Sequence, residues 1–122
     1  MIKRISTHCG DETCPSCVVA GDYIFLAHQA GGHESNDVVY QMHACFRQLQ
    51  ATLESVGASL DDMVQIHLYL KNISDFRAAR DVFYQYFNNG FPARMATTTD
   101  FVNDTCLCML DGIAYKPGIQ KL

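Results

Sequence analysis

The stretch from Thr105 to Tyr115 constrains the fold more than any other, because it is patterned for burial on both faces. Side chains alternate along an extended chain, so Cys106, Cys108 and Leu110 point one way and Thr105, Leu107, Met109 and Asp111 the other. A strand that is apolar on both sides has to be covered on both sides. Asp111 interrupts this stretch, and Arg94 interrupts the neutral run ahead of it, Phe91-Pro92-Ala93-Arg94 and then Thr97-Thr98-Thr99. Desolvating a lone charge is costly, so such a group is paired, neutralised or reserved for a ligand. Two readings follow: a structural ion pair, or a site in which Arg94 holds a substrate carboxylate and Asp111 handles a water or proton.

The cover comes from two amphipathic segments. From Asp37 to Val56 the residues Val38, Val39, Met42, Cys45, Phe46, Leu49, Leu53 and Val56 recur at steps of three and four, the stripe of a helix that Gly57 ends. A second helix is predicted from the capping residues Ser74 or Asp75, with Phe76, Ala79, Phe83, Tyr86 and Phe87 inward, until Asn88-Asn89-Gly90 stops it. Val18 to Gln29 reads as a hairpin turning at Gly21-Asp22. Met63 to Leu70 reads as a strand with Val64, Ile66, Leu68 and Leu70 on its dry face and Gln65, His67 and Tyr69 on a mixed one. With a short β-like start at Ile2 and Ile5, the order gives a mixed six-stranded sheet carrying both helices on one face, an α+β architecture. The 122 residues, 48% of them hydrophobic, fit one domain spanning 1–122. Two helices cover only one face of the sheet, so the other is expected to be buried by further subunits, with Asp111 on that intersubunit side.

A net charge of −4 and nine scattered basic residues argue against a nucleic-acid partner. No window is apolar enough for a membrane span, and the segment from Ile2 to His8 lacks the apolar run of an export signal. A cytoplasmic protein with reduced cysteines is therefore expected. His8, Cys9, Cys14 and Cys17 include a CxxC and have the chemistry for zinc or for a redox pair. All four crowd into ten residues where a zinc site normally has two separated pairs, which favours ordinary thiols. His28, where a strand meets the loop Gly31 to Asn36, suits either a hydrogen-bonded structural role or a pocket wall.

Several of these stretches resemble the reactive-intermediate deaminase family (RidA/YjgF, also called L-PSP endoribonuclease-like) over roughly residues 18 to 116. The similarity lies in Gly21-Asp22-Tyr23-Ile24-Phe25, in the run from Leu53 to Val64, in Leu68 to Phe76, and in Phe91-Pro92-Ala93-Arg94 followed by Asp111-Gly112-Ile113-Ala114-Tyr115. The resemblance implies a chorismate-mutase-like homotrimer with clefts between subunits. It also implies hydrolysis of small 2-imino or enamine acids to 2-keto acids and ammonia, without metal or organic cofactor. Arg94 matches the arginine that grips the substrate carboxylate, and Asp111 falls where the family usually has a glutamate that positions water. By the same comparison Cys14 replaces a common cleft tyrosine, Ala27-His28 replaces a Ser-Gly, and Ala96 stands where cysteine is frequent. Cys14 and His28 are thus carried to the cleft as candidate substrate contacts, and a reactive thiol follows if they adjoin. The alternative is a non-catalytic binder of small carboxylates in the same cleft. Endoribonuclease activity, suggested by the family's older name, lacks the basic patch it ordinarily needs.

Overall fold

The computed structural model describes residues 2–121. Its elements are β1 (Ile2–Ile5), β2 (Cys17–Ala20), β3 (Tyr23–Gln29), α1 (Val38–Glu54), β4 (Met63–Leu70), α2 (Phe76–Val82), β5 (Ala93–Thr98) and β6 (Cys108–Tyr115). The strands form one sheet in the order β1-β2-β3-β6-β4-β5; β4 and β5 run parallel and all other neighbours antiparallel. Both helices lie on one side, and no described helix is long and apolar enough to cross a membrane.

Local chemistry explains α1 well. Asp37 accepts from the Val39 amide at 3.1 Å and starts the helix. Val38, Met42, Cys45, Phe46, Leu49 and Leu53 form its buried stripe. Past Glu54 the chain turns on Gly57 at φ 83°, while the Ala58 amide donates to the Leu53 carbonyl. The inward faces of β4 and β6 meet this stripe: Ile66, Leu68, Cys108 and Leu110 are fully buried, and the Cys45 and Cys108 sulfurs lie 3.8 Å apart. That contact and burial push the Cys108 thiol far up, which keeps it a small hydrophobe.

Three expectations are corrected. The second helix is shorter than its pattern implies: neither Ser74 nor Asp75 caps it by side chain, the chain enters through a 3-10 turn at Ile73–Asp75, and another at Phe83–Gln85 follows it. The tighter turn lets three rings close on Phe46, with Tyr86 stacked at 4.3 Å and Phe83 and Phe87 edge-on at 5.1 and 5.8 Å. Val64 leaves the dry face and is exposed, because Met63 pairs with Ala114 while Gln65 pairs with Ile113, so Val64 is the extra residue of a β-bulge. The last strand begins at Cys108, later than the alternation read from Thr105 onward. Before it, Leu107 is buried and its amide donates to the buried Gln41 side chain at 2.8 Å.

The second face of the sheet carries no helix. Tyr23, Phe25, Met109, Ile113 and Tyr115 share it with Gln65, His67, Tyr69 and Met95, and Phe25 and Met95 are 45% and 61% exposed. An apolar surface of this kind on a β-sheet marks an interaction face.

Candidate functional site

β5 sets the position of Arg94. As the outermost strand it is exposed along its whole length, so Arg94 is not a charge stranded in a buried segment as its neutral surroundings suggest. It pairs with Ile66 of β4 and so points to the helix side. There its guanidinium lies 5.3 Å from the Phe76 ring centre and 5.8 Å from that of Phe83. Arg94 has no side-chain hydrogen bond or ion pair among the described residues. It opens on a cavity of about 350 Å3 lined also by Arg80, Phe83, Tyr84, Phe91 and Pro92.

Asp111 faces the opposite way. It pairs with His67, on the helix-free side. One carboxylate oxygen lies 2.5 Å from His67 Nδ1, and the other accepts from the Tyr69 hydroxyl at 3.0 Å. Burial, then the bond to Asp111, holds the Tyr69 phenol above its usual range. With Nδ1 against the carboxylate, His67 Nε2 has no hydrogen-bond partner among the described residues, a relation suited to an acid/base pair. The structural ion pair between Arg94 and Asp111 is not formed, since the sheet separates them.

Asp111 and Tyr69 line a cavity of about 560 Å3 with Cys9, His28, Phe101 and Met109. His28 is on this wall, and its backbone carbonyl lies 2.8 Å from His8 Nε2. Cys9, not Cys14, shares the wall with it; the Cys14 thiol donates to its neighbour's carbonyl, Pro15 O, at 3.6 Å. Cys17 is buried at the start of β2 with its thiol pushed up by burial, so the CxxC does not present two accessible sulfurs. His67, Tyr69 and Arg80 are the site side chains that sequence reasoning passed over. The first two were visible only as the polar side of an alternating strand, and their bond to Asp111 spans more than forty residues.

Fold and site together define a small α+β protein with an unpaired arginine at the sheet edge and an acid network on its open face. The chain matches the family model described as Endoribonuclease L-PSP over residues 15–115, and it belongs to that family, the RidA/YjgF proteins. It is 32% identical over 105 residues to a RutC family protein of Pyrococcus abyssi, covering 81% of this chain and 83% of that one. To the 2-iminobutanoate/2-iminopropanoate deaminase of Dermatophagoides farinae it is 30% identical over 83 residues, or 63% and 65% of the two chains. A solved yjgF-family structure from Streptococcus pyogenes superposes with a TM-score of 0.86 at 25% identity, covering 95% and 97%.

Proposed function

We propose that this protein hydrolyses small 2-imino or enamine acids to 2-keto acids and ammonia, as a homotrimer whose clefts combine Arg94 of one copy with Asp111 of another. The observation that carries the reading is the guanidinium of Arg94, without an ion-pair partner among the described residues, within cation–π range of Phe76 and Phe83 and open to a cavity. A planar guanidinium offers two parallel donors to a carboxylate and thereby fixes the plane of the attached C=N bond. The Dermatophagoides farinae relative is named for two substrates of that shape, 2-iminobutanoate and 2-iminopropanoate.

Water adds its oxygen to the imine carbon, and one of its protons passes to the nitrogen. The second C–O bond forms as the C–N bond breaks, and ammonia leaves with the transferred protons. Moving those protons is the role given to the His67 and Asp111 pair, with Asp111 as the group that fixes the imidazole. The apolar helix-free face, which includes Phe25, Ile113 and Met95, supplies a surface for the neighbouring copies.

One observation favours the second reading, a binder without turnover: each oxygen of Asp111 already holds a partner within the chain, which leaves only its remaining lone pairs to compete for a water. Ammonia release from freshly generated 2-iminobutanoate decides between the two. Under the first reading the wild type accelerates release and Arg94→Ala loses about a hundredfold or more. If the wild type releases ammonia no faster than buffer while still binding 2-oxobutanoate, the protein is a binder. Equal rates from wild type and Arg94→Ala remove the arginine from the reaction.

A further inference from the structure

Arg94 shares its recess with a second guanidinium. The cavity between the end of α2 and the start of β5 is lined by Arg80, Phe83, Tyr84, Phe91, Pro92 and Arg94, with no acidic side chain among its described lining. Arg80 lies 5.9 Å from the Tyr84 ring centre, and Tyr84 meets Phe91 edge-on at 5.6 Å, so aromatic rings back both cations. Asp81 neutralises Arg80 only in part. One carboxylate oxygen receives Nε at 3.2 Å and Nη2 at 2.8 Å, which leaves the whole Nη1 amino group and one Nη2 hydrogen unspent.

We propose that this recess selects 2-imino acids with a second, distal carboxylate, short dicarboxylic compounds such as 2-iminoglutarate, with Arg94 on the C1 carboxylate and Arg80 on the distal one. The proposal rests on the reading of Arg94 as the carboxylate anchor and specifies what lies beyond it. A substrate with an apolar tail strips water from Arg80 and returns no partner, whereas a distal carboxylate replaces that water with a charge-assisted pair. The Arg80 side chain is 36% exposed, which keeps the preference modest, about fivefold.

Calorimetric titration of the assembled wild-type protein with 2-oxoglutarate and with 2-oxobutanoate, the stable keto acids, tests this apart from catalysis. The expected result is tighter binding of 2-oxoglutarate by about fivefold. That ratio falls to near one in Arg80→Ala and rises in Asp81→Asn, which releases the guanidinium. It holds in Arg77→Ala, an exposed position on α2 outside the recess. Equal affinities in the wild type, or a ratio that survives Arg80→Ala, overturn the role of Arg80 and leave the Arg94 anchor standing. If neither keto acid binds, the anchor and the second subsite fall together.

Discussion

Arg94 and Asp111 project from opposite faces of one sheet: Arg94 sits level with Ile66 on the helix side and Asp111 level with His67 on the other. β4 runs between their strands and the two side chains leave opposite faces, so within one chain the guanidinium and the carboxylate do not meet. A reaction that needs both therefore needs two copies.

Mixing two inactive variants tests that requirement. In the trimer proposed above, a cleft would be complete when one copy supplies Arg94 and the next Asp111. Random assembly of Arg94→Ala with Asp111→Asn makes about a quarter of the clefts whole. Co-expressed variants are expected to recover about that share of wild-type ammonia release, while either alone stays inactive. Mixed trimers without recovery would place both groups in the same cleft wall or exclude one of them from the reaction.

Alkaline stability follows from the phenols. Tyr69 is held up by burial and by its bond to Asp111, Tyr86 by burial, and Tyr40 by the hydrogen bond it donates to Glu34. Each raised group binds its proton more tightly in the folded chain than in the unfolded one. Its stabilisation is thus complete below the ordinary value of 10.0 and is lost as pH rises through the raised one. Urea unfolding is expected to show falling stability above pH 10, and Tyr69→Phe to show a shallower fall. A slope that Tyr69→Phe leaves unchanged contradicts the assignment.

Gln41 ties the loop before β6 to α1. Its amide nitrogen donates to the Ser35 and Thr105 carbonyls at 2.8 and 2.9 Å, and its oxygen accepts from the Leu107 amide at 2.8 Å. Gln41→Ala leaves these backbone groups without their partner in a buried place, at a cost of about 3 kcal/mol. Denaturant melts measure that loss, and hydrogen exchange at the Leu107 amide is expected to quicken. Unchanged exchange at Leu107 would mean that the loop is held by other contacts.

The sequence makes some elements plain and hides others for physical reasons. The apolar spacing of α1 and the limits of β4, Met63 to Leu70, are local properties, and both are found where periodicity puts them. Val64 breaks the alternation because a bulge is a relation between two strands. The exposure of β5 is equally invisible in a neutral sequence, since it depends on which strand ends up at the sheet edge. Of the candidate site, the sequence offers only the charged residues, Arg94 and Asp111. His67 and Tyr69 gain meaning only when β4 is laid against β6.

The cysteines give the last prediction. Sequence comparison points to Cys14 as the thiol near His28, but the wall that holds His28 holds Cys9. Cys9 is exposed, and the Thr7 hydroxyl 3.3 Å from its sulfur, with the Asp11 backbone, holds its thiol below the ordinary value. Since the thiolate is the nucleophile, a lowered and exposed thiol reacts first. Cys17, Cys106 and Cys108 are buried with thiols pushed up by their surroundings, and Cys45 is buried beside Cys108. Iodoacetamide at neutral pH, with peptide mapping over time, is expected to modify Cys9 first, Cys14 more slowly, and the four buried thiols only after denaturation. Cys9→Ser should abolish the fast phase. Fastest modification at Cys14 would instead return the reactive thiol to the position that the sequence comparison gave it, and would mean that the turn from Gly10 to Pro15 opens in solution.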